Sequence, residues 1–235
     1  MNQLFYTPRI ENGFAYLDEE ESRHLLAALR RKVGDPLQIT DGQGYFYETE
    51  ISETGKRHAV ARIISKIAAP AERPFKLHIA IAPTKQMERL EWFLEKATEI
   101  GIDEITPLLC KHSERDSIRL DRLEKILVSA MKQSLRARLP KLNALTRFQA
   151  FAKAPSTANK FIAWCADEPL AHLSSQITGT HDIIIAIGPE GDFSTDEITS
   201  ALENGFSGVS LGTARLRTET AGLLAVSAVN LFAKY

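Results

Sequence analysis

Ile183-Ile184-Ile185-Ala186-Ile187-Gly188-Pro189-Glu190-Gly191-Asp192-Phe193-Ser194 decides how this chain is read. A continuous apolar run enters a bend marked by two glycines and a proline, and Ser194 with Glu197 then forms an S-x-x-E capping box that opens a helix. A second stretch repeats the design: Val209-Ser210-Leu211 leads into Gly212-Thr213-Ala214-Arg215-Leu216-Arg217, and Thr218-Glu219-Thr220 opens an apolar helix running to the C-terminus. Strand-to-helix bends of this kind lie at the carboxyl edge of a parallel sheet, where backbone amides face a small ligand.

The rhythm extends outward from these bends. Leu77–Ala82 reads as a buried strand. Lys85 to Ile100 reads as an amphipathic helix, with Met87, Leu90, Phe93, Leu94, Ala97 and Ile100 as its apolar stripe and Gly101 as an αL-type stop. Ile105–Cys110 and Phe161–Cys165 read as further strands, and Leu120 to Leu135 as a basic helix. Continuous apolar strands alternating with helices predict a parallel sheet covered on both faces. Residues 1–70 read differently. Helical character from about Glu20 to Arg31 is followed by short strands around the turns Asp41-Gly42-Gln43-Gly44 and Glu53-Thr54-Gly55-Lys56, which predicts a small β-barrel. Two prolines in Ala68–Pro74 mark a linker, so the expected domains are 1–70 and 75–235.

Bulk properties narrow the function. The 235 residues are 44% hydrophobic, and no window has the uninterrupted apolar length of a membrane span. The opening Met1–Tyr6 lacks a basic stretch followed by an apolar one, so a secretory signal is not expected and a cytoplasmic location is. Two cysteines, Cys110 and Cys165, give no disulfide framework or zinc set, and both read as small buried thiols at strand ends. No metal is expected. The net charge of −1 removes a whole-molecule attraction for nucleic acid but leaves room for local basic patches.

Arg217 is the residue that most asks for a partner. It stands at the positive end of a helix, where a cation is electrostatically awkward. Its partner is Glu190, Glu219 or a substrate, and a structural ion pair alone would account for it. Thr218, Glu219 and Thr220 are also good helix-start residues, for which capping is a sufficient reason. Gly222 weakens the last helix by about 1 kcal/mol relative to Ala. Together with Ala221, Ala225, Ser227 and Ala228 it permits close approach, either in the core or between subunits.

These motifs resemble those of the RsmE family of rRNA methyltransferases, in the SPOUT (trefoil-knotted) class. The resemblance rests on I-G-P-E-G-x-F-S at 187–194 and on L-R-T-E-T-A at 216–221. Lys85-Gln86-Met87-Glu88-Arg89-Leu90-Glu91-Trp92, Lys96-Ala97-Thr98-Glu99-Ile100-Gly101 and Gln133-Ser134-Leu135-Arg136 extend it over nearly the whole chain. It implies an α/β architecture: a small N-terminal PUA-like β-barrel that binds RNA, and a C-terminal SPOUT domain whose last helix is tucked through a loop. It implies a homodimer with S-adenosyl-L-methionine (SAM) as cofactor, acting on N3 of one uridine in the 16S rRNA of the small ribosomal subunit.

Residue by residue, the resemblance implies that the cofactor is held by Cys165, Ala166, Gly188, Pro189, Glu190, Gly191, Leu211, Gly212, Leu216, Arg217 and Thr218, with Asp167 extending the Cys165 wall. Arg217 is the first candidate to stabilise the uracil anion, Arg136 the second, and Glu219 a candidate base. Lys132, Arg136, Arg138 and Lys141 form one basic run for RNA, and Arg30, Arg31 and Lys32 another; either is also compatible with a solvated face. Tyr45, Phe46 and Tyr47 are candidates to stack on bases. His24, His112, His172 and His181 match no motif and read as solvated or structural. Two departures stand out. Asp192 occupies a position where many members carry glycine. Thr213-Ala214 follows Leu211-Gly212 where Pro-Arg is common, which moves Arg215 one residue later while Arg217 keeps its register. Alternative readings are a SPOUT ribose 2′-O-methyltransferase acting on tRNA or rRNA, and a non-catalytic RNA-binding protein. A phosphate-binding hydrolase lacks a Walker-type lysine.

Overall fold

The computed structural model describes residues 3–70, 73–166, 168–179 and 181–233. The chain forms two compact units. One comprises residues 1–71 and 128–139, the other residues 72–127 and 140–235.

The first unit contains β1 (Leu4–Tyr6), β2 (Ile10–Glu11), β3 (Phe14–Leu17), the short helix α1 (Glu19–Arg23), β4 (Pro36–Thr40), β5 (Tyr45–Thr54) and β6 (Ala59–Ala68). Asp18 caps α1 through its side chain. The chain then widens into a π-helical turn over His24–Ala28, so helical structure ends before the expected Arg31. The six strands follow the order β1-β4-β5-β6-β3-β2, with β1 and β2 as the two ends of the path. The pairings are antiparallel except β1 with β4. Phe5, Leu17, Leu25, Ile39, Tyr47 and Ile51 fill its core.

Residues 128–139 fall with this unit, whereas the sequence pattern assigned them to 75–235. The cause is hydrogen bonding at the 41–44 turn. Ala137 O accepts from Thr40 Oγ1 at 3.1 Å and from Gly44 N at 2.8 Å, and Leu139 N donates to Gly42 O at 2.9 Å. Non-local pairing of this kind leaves no periodic trace in a sequence.

The second unit contains β7 (Leu77–Ile81), α2 (Met87–Ile100), β8 (Glu104–Leu109), α3 (Leu120–Gln133, its last residues grouped with the first unit), β9 (Lys141–Leu142), β10 (Thr146–Arg147), α4 (Phe148–Ala152), β11 (Asn159–Ala163), α5 (Leu173–Gln176), β12 (Ile183–Ile187), α6 (Thr195–Glu203), β13 (Phe206–Val209) and α7 (Thr218–Phe232). The sheet order is β10-β8-β7-β12-β11-β13, with β9 also paired to β8, and every pairing is parallel.

The sheet is covered on both faces, as the apolar runs predicted. Ala80, Leu108, Ile162 and Ala186 pack with Phe148 and Ala152 of α4, Phe193, and Ala201 of α6. On the opposite face, Ile81 of β7 and Phe93 of α2 press against Gly222 of α7. A Cβ at Gly222 would lie 2.8 Å from both, so a glycine costly to an isolated helix is required by close packing.

The capping box is present: Ser194 Oγ meets the Glu197 N–H and the Glu197 side chain returns to Ser194 N. Gly101 ends α2 at φ +121° and ψ 105°, a positive φ outside the expected αL region. The Ala68–Pro74 linker is partly structured, because the Arg73 side chain is buried and paired with Asp103. Among the described residues no helix is long and apolar enough to cross a membrane.

Candidate active site

Because the strands are parallel, their carboxyl ends share one edge, and the segments leaving β7, β8, β11 and β12 meet there. The Gly188–Asp192 bend is the hub. Asp192 N donates to Pro189 O at 2.9 Å and closes the turn. Asp192 itself adopts φ +62°, a left-handed backbone that favours glycine and that aspartate tolerates better than most residues. Its carboxylate accepts from Phe193 N at 2.7 Å and from Cys165 N, beyond the end of β11, at 2.8 Å.

Behind β8, His112 Nδ1 lies 3.1 Å from Gly191 O and 3.0 Å from Asp192 O. Carbonyl oxygens only accept, so His112 carries its proton on Nδ1. From the β7 exit, Lys85 N donates to Glu190 Oε1 at 3.0 Å, and Arg115 Nη2 donates to Lys85 O at 2.8 Å. At the start of α7, Thr218 Oγ1 donates to Gly188 O at 3.0 Å, which ties the last helix to the bend.

The second bend, 211–217, is far less bonded. Among the described residues its side-chain hydrogen bonds are Gly212 N donating to Ser210 Oγ at 3.1 Å and Ser210 Oγ donating to Gly212 O at 3.2 Å. Gly212, Thr213, Ala214, Arg215 and Arg217 are exposed. Among the described residues, no protein acceptor takes the backbone N–H of Gly191, Leu211 or Leu216. Both bends therefore present unused amides, the donor set that suits a small ligand rich in acceptors.

The structure places each expected residue. Arg217 is the N-cap residue of α7 with no side-chain capping bond, and no described residue forms an ion pair with it. Glu190 is engaged by Lys85 instead, and Glu219 by Arg89, whose Nε lies 3.8 Å from Oε1. Glu219 is thus an acidic residue in the first turn of α7 that faces Arg89. It is 7% exposed and its Oε2 is buried without a partner.

Cys165 is exposed, contrary to the buried thiol expected, because β11 ends at Ala163, two residues earlier than the apolar run suggested. Its N–H is occupied by Asp192 and is closed to a ligand. Desolvation first, and then the Asp192 carboxylate, push its thiol pKa upward. Cys110 is buried, and its thiol is held far above the ordinary range by burial and then by Glu197. Ala166 follows Cys165, while Asp167 lies outside the described residues. No cluster with metal-ligand character occurs among the described residues.

The residues of the basic run make separate contacts. Lys132 pairs with the buried Glu21 carboxylate, and the Arg138 guanidinium lies over Gly44, where a Cβ would come within 2.8 Å of it. Both, with Arg136, belong to the first unit, whereas Lys141 belongs to the second and pairs with Glu104 at 3.0 Å. Arg30, Arg31 and Lys32 are exposed in the first unit. Tyr47 is buried and donates to Asp41 at 2.9 Å; Tyr45 and Phe46 are half-buried, with Lys66 Nζ 3.7 Å from the Tyr45 ring centroid. Sequence reasoning quoted Lys85 only within a motif, read His112 as solvated or structural, and did not single out Arg115. The segment Lys111-His112-Ser113-Glu114-Arg115 follows a strand directly in the chain, and that was the available signal.

A family model described as an RNA methyltransferase domain matches residues 71–230, and one described as an RNA methyltransferase PUA domain matches residues 17–64. The ribosomal RNA small subunit methyltransferase E of Rickettsia conorii is 28% identical, over 100% of this chain and 97% of that protein. The chain belongs to the RsmE family of RNA methyltransferases. A crystal structure of a "probable rRNA-methyltransferase" from Porphyromonas gingivalis shares 41% identity at a TM-score of 0.92, covering 98% of each chain. A ribosomal RNA small subunit methyltransferase E from Neisseria gonorrhoeae, bound to S-adenosyl methionine, shares 27% identity at a TM-score of 0.86, covering 99% of this chain and 98% of that one. As in this family, the antiparallel β unit is PUA-like and the parallel-sheet unit is of SPOUT type.

Proposed function

We propose that this protein uses S-adenosylmethionine to methylate N3 of a specific uridine in the 16S rRNA of the small ribosomal subunit. Family membership and the relative bound to that cofactor support the reading. The observation that carries it at the level of residues is Arg217. An exposed guanidinium without a counter-charge among the described residues stands next to Thr218, whose hydroxyl is bonded to Gly188 O in the first bend.

The backbones of Gly188–Gly191 and Leu211–Thr218 would hold the cofactor, and their unused amides fit its acceptors. When bound, the cofactor supplies a methyl carbon already activated by a sulfonium. The chain's own task is to ready the base. Uracil N3 carries a proton at neutral pH, and its loss spreads negative charge over the flanking carbonyl oxygens. Arg217 stabilises that charge and so lowers the pKa of N3. Glu219, shielded from solvent, anchors α7 to α2 through Arg89, and the N3 proton passes to water. Arg136 and the exposed Arg30, Arg31 and Lys32 of the first unit contribute to RNA contact.

The working form is a cytoplasmic homodimer. Trp92 of α2 and Leu224, Leu231 and Phe232 of α7 are exposed on two helices that pack together, a large apolar surface for one copy to leave uncovered. The trefoil threading of α7 goes with the SPOUT type. The test is mass spectrometry of rRNA from a strain lacking the protein. Loss of one base-methylated uridine is expected, and an unchanged base with a lost ribose methyl would overturn the reading.

A further inference from the structure

We infer that Asp192 is a positioning residue which, with His112, holds the Gly188–Asp192 bend in the shape that receives the methyl donor. The inference deepens the reading above and rests on it for the identity of the ligand.

The two carboxylate oxygens of Asp192 have separate tasks. Oδ1 accepts from Phe193 N at 2.7 Å and holds the residue's own left-handed turn at φ +62°. Oδ2 accepts from Cys165 N at 2.8 Å and fastens the β12 exit to the β11 exit. His112 closes the opposite side, its Nδ1–H facing the carbonyls of Gly191 and Asp192 at 3.1 and 3.0 Å. It also sits close beneath the bend, since a Cβ at Gly191 would lie 3.1 Å from His112 Cβ. The bend is thereby tied to the exits of two other strands, β8 and β11, before any ligand arrives. The carbonyls of Gly191 and Asp192 are turned toward His112, and the Gly191 amide is left without an acceptor among the described residues. Preorganisation of this kind raises affinity by removing the ordering cost from the binding step. Glycine at 192 would permit the same backbone angle but supply neither bond, so Asp192 substitutes side-chain bonding for conformational freedom.

The test is calorimetry with S-adenosylmethionine together with steady-state kinetics on Asp192→Gly, Asp192→Asn and His112→Ala. Asp192→Gly accommodates the positive φ and removes the latch. Its donor Kd is expected to rise about tenfold, the scale of one or two lost hydrogen bonds, with the change appearing in KM for the donor rather than in kcat. Asp192→Asn keeps tolerance of the left-handed backbone and one acceptor oxygen but turns an NH2 toward the other N–H, so it is expected to bind the donor more tightly than Asp192→Gly and more weakly than the original, about threefold from each. His112→Ala is expected to weaken donor binding by about threefold to fivefold.

Hydrogen exchange at Phe193 and Cys165, the two amides that donate to Asp192, gives a readout in the ligand-free protein that does not depend on the cofactor, and it should quicken in Asp192→Gly. An Asp192→Gly protein with unchanged exchange and unchanged donor affinity would overturn the inference, as would an Asp192→Asn protein that binds the donor no better than Asp192→Gly. If the original protein itself fails to bind millimolar donor, the proposed function falls, and exchange alone then decides the latch.

Discussion

The two bends at the carboxyl edge of the sheet are built in opposite ways. The Gly188–Asp192 bend is bonded to segments leaving β7, β8 and β11 and to the first residue of α7. The 211–217 bend is exposed along most of its length, and among the described residues its side-chain hydrogen bonds go only to Ser210. The first bend is therefore fixed by bonds to its neighbours in the fold, and the second carries few of them. Arg217, the cation of the proposed chemistry, belongs to the loosely held half. Loops that must admit and release a ligand are drawn from the less stable parts of a fold.

Arg217→Ala should give the largest effect. Methyl transfer is expected to fall by about 100-fold or more, on the scale of ~3 kcal/mol for removing one transition-state donor. The melting temperature should hardly move, because no described residue pairs with Arg217. Radiolabelled methyl incorporation beside a thermal melt checks both halves, and normal turnover would remove Arg217 from the mechanism.

Gly222→Leu should break the framework beneath both bends. A side chain there meets Ile81 and Phe93 at once, and overpacking costs about 1–3 kcal/mol or more. Denaturant unfolding should show the loss, and an unaffected midpoint would mean that α7 does not pack as described. Thr218→Val cuts the bond that joins the two halves. About 1 kcal/mol of donor affinity is expected to go, read by calorimetry.

At the opposite edge of the sheet lies a titrating cluster on the amino-terminal parts of β7 and β8. His78 Nε2 is 2.7 Å from Thr106 Oγ1, and Asn143 Nδ2 donates to both Thr106 and Glu104 at 2.7 Å. Burial, only partly offset by Glu104, holds the His78 pKa below its ordinary value. Burial of Glu104 pushes the other way but is outweighed by hydrogen bonds from Asn143 and Lys141, so that carboxyl also lies low. Both groups bind protons more readily in the unfolded chain. Stability is therefore fully present at neutral pH. It declines as pH falls below about 6.5, where unfolded His78 takes up its proton, with a slope of at most ~1.4 kcal/mol per pH unit for that one proton. His78→Gln should flatten the upper part of this decline in melts from pH 7.5 to 5.5, and an unchanged pH profile would reject the assignment. Thr213→Ala, in the exposed bend, should change stability by less than about 0.5 kcal/mol.

The same contrast explains what could be read from the sequence. The apolar runs at 77–82 and 183–187, the capping box at Ser194, and the α2 stripe encode local periodicity, and they appear in the structure as β7, β12, α6 and α2. The glycine-marked bends were legible as well, because glycine and proline announce backbone geometry. The role of Asp192 was not legible, since it depends on a positive φ and on a partner 27 residues earlier in the chain. The occupation of Glu219 by Arg89, and the grouping of 128–139 with the first unit, are likewise tertiary and leave no pattern along the chain.

A crystal structure of the protein with S-adenosylmethionine tests the central claim most directly. The account predicts the cofactor held between Gly188–Gly191 and Leu211–Thr218, with the first bend superimposing on its ligand-free shape and the second newly ordered around the ligand. A cofactor found away from both bends, or a first bend that must rearrange to admit it, would contradict the account.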